Sequence, residues 1–485
     1  MILSNLRIVL RDLGSILVIL GVLIFSLLGV ACYFREDVIM PVVTTGSGVT
    51  LLGLLFRYLF RYAGEPEYKH AMICAALVWL VVPAFSAILF IWIEGMSPLD
   101  SYFEAMSGWT GTGLTMITHP SGLTHTIQFW RSLMQWVGGV GVIVLMLSIL
   151  ARPGTGAYAL YKAEAREERI KPSIVSTVRM TWWIYLFLTS IGIILFFIAG
   201  MKPWEALNHA MTAIGTGGFT ITDDSIATYN SLIIELAIIP IMVLGAIPFL
   251  VHYRVLKGDV KSYFKDTQCI AFIVVFFILL IPLLATNCVM QSHGLLSAIR
   301  YSVFQLISGM TCTGFQTIPV HGWSLPEMLI MYVAMLIGGG TGSTAGGVKL
   351  LRAVVAYKWI KWSLRRNFLP PKAIISVRLG DRLLEKEDMT KIFSEASLII
   401  ILWLISLFIG ICVLSAVAGS QYQLGAIIFE VASAQGNVGL SAGVANPGLP
   451  YMGKIMLILN MWVGRLEIIP ALMLFRALIR GFEPI

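Results

Sequence analysis

The chain has 485 residues, 58% of them hydrophobic and only 12% charged, with a mean hydropathy of +0.85 and a formal charge of +8. Soluble domains carry roughly 25% charged residues, so composition excludes an ordinary soluble enzyme, a disordered chain and a secreted disulfide scaffold. What remains is a multi-spanning membrane protein, and the placement of the positive charge argues against nucleic acid as its partner.

Ten apolar stretches are long enough to cross the membrane as helices. In chain order they run roughly 13–33, 39–60, 71–93, 127–150, 181–200, 231–251, 268–286, 327–360 (interrupted), 396–418 and 451–478. The first does not read as a cleavable signal, because its apolar run is long and another span follows. Four shorter stretches, 98–109, 203–214, 295–310 and 422–435, each end in a Gly-rich run. Each is too short to cross and fits a re-entrant helix that enters and returns on one side. The expected organisation is an N-terminal helix pair (1–70) followed by four units, 71–180, 181–267, 268–392 and 393–485. Cys32, Cys74, Cys269, Cys288, Cys312 and Cys412 are scattered without CxxC or Cys/His clustering, which favours small packing residues over metal ligands.

Orientation follows from Lys and Arg, which concentrate in cytoplasmic loops. With the N-terminus inside, 27 of the 34 Lys+Arg fall in inner segments, including Arg152, Lys162, Arg166, Arg169, Lys171 and Arg179, and ten between 352 and 391. Four fall outside (Arg35, Lys202, Arg300, Lys454), and Arg131, Lys349 and Arg465 lie within spans. Both termini are then cytoplasmic, and all four re-entrant segments open outward.

Each re-entrant segment ends in one short pattern. The four copies are Ser107-Gly108-Trp109-Thr110-Gly111-Thr112-Gly113-Leu114, Thr212-Ala213-Ile214-Gly215-Thr216-Gly217-Gly218-Phe219, Ser308-Gly309-Met310-Thr311-Cys312-Thr313-Gly314-Phe315 and Ser433-Ala434-Gln435-Gly436-Asn437-Val438-Gly439-Leu440. A Ser/Thr is followed by Gly or Ala, then six places on by Gly and Leu or Phe. Upstream, Pro98 and Ala105-Met106 match Pro203 and Ala210-Met211 at a constant offset of 105. Four such units make a single-chain, pseudo-fourfold pore. A dehydrating cation needs a ring of backbone carbonyls, and aiming successive carbonyls at one axis needs conformations that Gly adopts most readily. Helix packing would explain one such loop equally well; four matching copies favour an ion path.

On these residues the chain resembles the TrkH/KtrB/HKT superfamily of cation transporters, closest to the prokaryotic TrkH-type potassium uptake subunits. The resemblance covers essentially the whole chain. It includes the four loops, the run Phe129-Trp130-Arg131-Ser132 to Gln135-Trp136-Val137-Gly138-Gly139, the run Gly338 to Lys349, and Gly464-Arg465-Leu466-Glu467. An extra N-terminal pair of spans matches TrkH rather than the shorter KtrB. The resemblance implies an all-α membrane protein conducting K⁺, the transported ion, with one filter Gly per repeat and no organic cofactor. The implied metal-binding set is Thr110–Gly113, Gly215–Gly218, Thr311–Gly314 and Gly436–Gly439. It also implies a homodimer and a cytosolic TrkA-type nucleotide-binding regulatory ring.

Arg465 lies mid-span, where an unpaired cation costs at least about 2.5–3.5 kcal/mol. It reads either as an electrostatic constriction below the filter, which the resemblance supports, or as one half of a contact with Glu467 or with another unit's carbonyls. Arg131 reads as a tether between spans near the outer face. Gly338-Gly339-Gly340-Thr341-Gly342-Ser343-Thr344-Ala345-Gly346-Gly347 interrupts its span, since six glycines in ten positions do not hold a helix. Such a loop suits a gate, with Lys349 and Arg465 beside it; in the resembling family it acts as one. A passive kink is the alternative.

Three enzyme-like motifs fail. Gly342 to Lys349 misses a Walker A loop, because Val348 separates Gly347 from Lys349 and Leu350 replaces the Ser/Thr. Gly340–Ala345 follows a span rather than a strand. Gly439-Leu440-Ser441-Ala442-Gly443 has no histidine downstream, the last being His321. Outside, Glu94, Asp100, Glu104, Glu205, Asp223 and Asp224 suggest a mildly negative mouth or simply a solvated face. Inside, the basic segments 152–180 and 352–392 suit anionic membrane lipid or a regulator. The reading is K⁺ uptake down the electrochemical gradient across the cell membrane. A Na⁺/K⁺ or proton-coupled secondary transporter with broken helices is the rival, and it predicts one or two broken spans rather than four matching loops.

Overall fold

The computed structural model describes residues 2–141, 174–290, 294–370, 377–379, 382–384 and 386–481. The inner half of the span expected at 127–150 and the basic positions Arg152, Lys162, Arg166, Arg169 and Lys171 lie outside them. The N-terminal pair, α1 (Ile2–Phe34) and α2 (Ile39–Leu59), is followed by a pattern that recurs four times. A long helix leads to a short helix, then to a non-helical stretch, then to an inner helix.

The first copy is α3 (Tyr68–Glu94), α4 (Pro98–Thr110) and α5 (His125–Val140). The second is α6 (Ile174–Ile198), α7 (Pro203–Ile214) and α8 (Leu232–Ala246), continued by α9 (Phe249–Leu256) and the single turn α10 (Ser262–Lys265). The third is α11 (Thr267–Met290), α12 (Leu295–Met310) and α13 (Leu325–Ile337), resuming as α14 (Leu350–Asn367). The fourth is α15 (Lys386–Ala418), α16 (Leu424–Gly436) and α17 (Tyr451–Leu466), continued by α18 (Ile469–Arg480). One departure from an all-helical chain is a small antiparallel hairpin, β1 (Val377–Leu379) and β2 (Arg382–Leu384), which pairs Val377 with Leu384.

Among the described residues six helices are long and apolar enough to cross a membrane, and two bent pairs bring the number to eight. Two spans expected to be continuous are therefore broken. The stretch read as 231–251 bends by 105° between α8 and α9, and that read as 451–478 bends by 112° between α17 and α18. The breaks have local causes. Pro248 and Pro470 cannot continue the preceding hydrogen-bond ladder, and Glu467 and Ile468 take φ of 56° and 73°. Helix α13 ends at Gly338, φ 67°, and α5 ends at Gly141, φ 101°. All four inner helices thus stop at one level, where sequence reading placed one interruption.

The core sits where the short helices pack against the inner ones. Trp79, Trp109, Trp130, Trp403 and Trp462 are fully buried there, and the Trp109 indole N–H donates to Ser86 Oγ at 2.8 Å. In Tyr68–Glu94 67% of the most apolar window is buried, against 17% in Thr267–Val289, so α3 is an interior helix and α11 turns its apolar surface outward, as lipid contact requires. Close approach below the short helices depends on matched glycines. A Cβ on Gly138 would stand 2.0 Å from the Trp109 carbonyl oxygen, on Gly245 2.7 Å from that of Ile214, and on Gly464 1.9 Å from that of Gln435.

Gly464→Ala should therefore lower the thermal unfolding midpoint of the purified protein, with overpacking of about 1–3 kcal/mol. Gly29→Ala in α1, where a Cβ would meet nothing within 4 Å, should leave the midpoint unmoved or slightly raised. Equal effects of the two would contradict this packing account.

Candidate ion-conduction site

The four short helices aim their C-terminal ends at one place, and the residues after each helix repeat the same geometry. The backbone N–H groups of Thr112, Gly217, Thr313 and Val438 donate to the carbonyls of Ser107, Thr212, Ser308 and Ser433, each at 2.9 Å. Gly111, Thr216, Cys312 and Asn437 then take left-handed φ of 68°, 49°, 56° and 52°. Two residues on, Gly113, Gly218, Gly314 and Gly439 take φ of 91°, 77°, 83° and 94°. Only Gly adopts the second set without strain.

The contacts among these segments close on themselves. A Cβ on Gly113 would lie 2.3 Å from the Gly217 carbonyl oxygen, and one on Gly218 would lie 2.0 Å from that of Thr313. One on Gly314 would lie 2.1 Å from the Val438 carbonyl oxygen, and one on Gly439 2.3 Å from that of Thr112. First unit to second, second to third, third to fourth and fourth to first: the four strands form a ring of carbonyls and glycines. The partial negative charge of four helix C-termini adds to the field at this ring.

Three of the strands are also held from within their own unit. Ser107 Oγ and Ser433 Oγ accept from the Gly113 and Gly439 N–H groups at 3.0 Å, and Ser308 Oγ donates to the Phe315 carbonyl at 2.6 Å. The hydroxyl pairs Thr110–Thr112 and Thr311–Thr313 close at 2.8 Å. Asn437 reaches across the seam, donating to Thr112 Oγ1 at 2.9 Å and to the Met461 carbonyl at 3.0 Å. The second strand is gripped by Gln135, which accepts from the Phe219 N–H at 2.9 Å and donates to the Gly217 carbonyl at 2.5 Å.

On one side of the ring lies a cavity of about 210 Å³, lined by all four ring glycines and by Thr115, Thr220, Gln316, Asn446, Arg131 and Asp223 among others. The acids expected to charge this mouth mostly serve structure instead. Glu104 is fully buried, pairs with Arg131 at 2.8 Å and accepts from Thr115 Oγ1 and the Met116 N–H. Glu94 caps Thr124, and Asp100 pairs with Lys454 at 2.5 Å, joining the first unit to the fourth. Asp223 remains at the rim. A hydrogen bond from the Ser121 N–H holds its carboxyl below the usual carboxylate range, and the Ser121 hydroxyl adds to this. Arg131 meets its expectation as a tether, bonding both Glu104 and the Thr220 carbonyl of the second unit.

On the other side lies the loop Gly338–Gly347. Gly347 N–H donates to the Gly436 carbonyl at 3.0 Å, and Gly340 N–H to the Ala246 carbonyl at 2.9 Å. Thr344 Oγ1 lies 2.9 Å from the Gly245 carbonyl oxygen, 3.0 Å from that of Ile214 and 3.1 Å from Thr216 Oγ1. Thr341 N–H bonds Gln268, Gly342 accepts from the Phe249 N–H, and Ser343 Oγ donates to the Gly340 carbonyl. A Cβ on Gly346 would lie 2.1 Å from the Gly436 carbonyl oxygen, and one on Gly339 2.4 Å from Ala345 Cβ. Lys349, φ 80°, donates its Nζ–H to the Ala345 carbonyl. Glu467, the acid beside Arg465 in sequence, pairs with Arg352. The Arg465 guanidinium donates to the carbonyls of Gly138, Gly139 and Thr344 and stacks over Trp79 at 5.2 Å.

The four loops thus meet one another, and the interrupted span packs against their inner ends. Sequence reading gave Gln135 no role beyond its place in a run, set Glu104 among the outer acids, and did not name Glu430. Both acids stand three residues before the repeat's Ser, and Glu430 likewise accepts from the loop beyond its strand, at Ser441, Ala442 and Ala445. That fixed register was the available signal.

Comparison with known proteins supplies a family. The family model TrkH, described as "Cation transport protein", matches residues 65–480. A cation transporter of Methanocaldococcus jannaschii, MJ1485, is 37% identical over 475 residues, covering 97% of this chain and 95% of that one. The Trk system potassium uptake protein TrkH of Escherichia coli K12 is 30% identical over 426 residues, covering 85% of this chain and 86% of that one. The crystal structure of the potassium transporter TrkH from Vibrio parahaemolyticus superposes with a TM-score of 0.84 at 26% identity, covering 97% of this chain and 98% of that chain.

Substituting Ser at Gly113, Gly218, Gly314 or Gly439 forces a Cβ against a ring carbonyl. Each variant should lower discrimination between monovalent cations by about tenfold, the scale of about 1–3 kcal/mol of overpacking. Flux of K⁺ against Na⁺ into proteoliposomes checks this; four unchanged ratios would rule the ring out as the selective element.

Proposed function

The chain belongs to the TrkH family of cation transport proteins, a family of transporters rather than enzymes, and we propose that it takes up K⁺ through the carbonyl ring described above. The observation that carries this reading is the closed cycle of four glycine–carbonyl contacts. A cation leaving water must find oxygens to replace its hydration shell, and a ring from four chain segments supplies them on one axis. Relatives named for potassium uptake support K⁺ as the ion. The protein sits in the cell membrane with both termini cytoplasmic, as the Lys/Arg asymmetry implies. An inside-negative potential contributes about 2.3 kcal/mol per charge per 100 mV, enough to drive uptake without coupling to another ion.

The gate in this reading is the loop Gly338–Gly347. It lies against the inner ends of the ring strands, and Arg465 grips it at Thr344. Helix α14 begins directly after it and carries exposed Lys361, Arg365 and Arg366 at its far end. A cytosolic nucleotide-binding ring of the TrkA type, docking on that basic surface of a homodimer, would move the loop through this helix. Basic residues there also suit anionic lipid.

The test of transport is K⁺ and Na⁺ flux into proteoliposomes holding the full chain. The reading expects saturable K⁺ entry that follows the imposed potential and far slower Na⁺ entry; equal entry of both, or none, would overturn it.

The gate makes a separate prediction. Arg465→Ala removes both a fixed cation and the bonds holding the loop. Charge-assisted bonds of about 1.5–3 kcal/mol in the closed form correspond to a rise in K⁺ flux of about tenfold or more, normalised to folded protein. Shortening Gly338–Gly347 by a few residues should act in the same direction. Wild-type flux from well-folded forms of both would reduce the loop to a kink.

A further inference from the structure

We propose that Gln135, on the inner helix of the first unit, is a positioning residue that tunes one ring carbonyl and through it the choice between K⁺ and Na⁺. The inference rests on reading the ring as the ion filter. Gln135 is fully buried. Its Nε2–H donates to the Gly217 carbonyl, the same oxygen that faces Gly113 across the first seam. Its Oε1 accepts from the Phe219 N–H, which fixes the orientation of the amide, since a flipped amide would face N–H to N–H. Among the described residues no side chain donates to the corresponding carbonyls of Thr112, Thr313 or Val438. The ring is therefore unequal: three carbonyls are free to turn their full dipoles to an ion, and one shares its lone pairs with an amide.

The sequence carries both halves of this arrangement. At the ring carbonyl position the first, third and fourth units have Thr112, Thr313 and Val438, and only the second has a glycine, Gly217. Its φ does not require one, because Gly217 is not among the residues in the left-handed region. Space requires it. The three atoms nearest to a Cβ on Gly217 are Gln135 Cδ and Oε1 at 2.4 Å and Gln135 Cβ at 2.8 Å. Conversely, three residues before the inner-helix glycines Gly245, Gly338 and Gly464 stand Met242, Met335 and Met461; before Gly138 stands Gln135. One unit supplies the amide and its neighbour alone leaves room for it.

An amide N–H bonded to a carbonyl places a partial positive charge beside the oxygen, and in a low-dielectric site this offsets part of the field the oxygen presents to a cation. Freeing that carbonyl strengthens the field, and stronger fields favour the smaller ion. Gln135→Met, similar in length but without the amide, should therefore lower the K⁺/Na⁺ flux ratio by about threefold to tenfold, the range spanned by one ordinary hydrogen bond.

The experiment measures K⁺, Rb⁺ and Na⁺ flux into proteoliposomes, normalised to monodisperse protein. The variants are Gln135→Met, Gly217→Ala, the pair Gln135→Ala with Gly217→Ala, Gln135→Ala alone, and Gly113→Ser. The expected result is a lowered ratio in Gln135→Met. Gly217→Ala should lose at least about tenfold in K⁺ flux to overpacking, and the double variant should regain the flux of Gln135→Ala while keeping a lowered ratio. A ratio within twofold of wild type in Gln135→Met, with discrimination lost in Gly113→Ser, overturns this inference and leaves the filter reading standing. Unchanged ratios in both overturn the filter reading and the inference with it. If Gln135→Met does not fold, the double variant decides: flux no better than Gly217→Ala alone overturns the proposal.

Discussion

The arrangement depends on one constraint: four backbone segments must bring carbonyl oxygens to a common axis with no side chain between them. At the four closing positions a Cβ would come within 2.0–2.3 Å of a neighbouring carbonyl oxygen, so the residue there is Gly in every unit. Much else serves that approach. The short helices position the strands and point their C-terminal dipoles at the axis, and buried hydroxyls, two carboxylates and the Gln135 amide hold the strands from behind. The Lys454–Asp100 pair joins the fourth unit to the first, and Arg131, paired with Glu104 inside the first unit, reaches the Thr220 carbonyl of the second; an unpaired buried charge at either place would be costly.

Below the ring, close packing and discontinuity go together. The inner helices carry Gly138, Gly245, Gly338 and Gly464 at equivalent places, and each helix ends within a few residues of its glycine. Among the described residues, only the third break is filled by a glycine-rich loop. That loop donates to carbonyls exposed by the other breaks, at Gly245 and Ala246 and at the end of α16, and Arg465 takes the carbonyls of Gly138, Gly139 and Thr344. Free helix-end carbonyls beneath a cation path would themselves attract cations. A loop and a guanidinium bonded to them change that field, which gives the proposed gate a physical basis in a small movement.

The short helices and the ring glycines were legible because both are written in spacing. The Ser/Thr-to-Gly interval of six is the same in all four copies, and the short helices begin and end within two residues of the expected bounds. The breaks at Pro248 and Pro470 were not read, because hydropathy stays high through them and a sliding apolar window does not register direction. Acids were misread for a related reason. Composition makes Glu104 look like a solvated residue of an outer loop, whereas its partner Arg131 lies 27 positions away and only the fold brings them together. Gln135 was part of a recognisable run, but its grip on the second strand crosses 82 positions.

The central claim is that the ring formed by Gly113, Gly218, Gly314 and Gly439 holds the ion. Anomalous diffraction from crystals of the protein grown in Rb⁺, a K⁺ congener, tests it most directly. The account predicts Rb⁺ peaks on the axis, within coordination distance of the carbonyls of Thr112, Gly217, Thr313 and Val438. Peaks confined to sites away from that axis, in a protein that conducts Rb⁺, would contradict it.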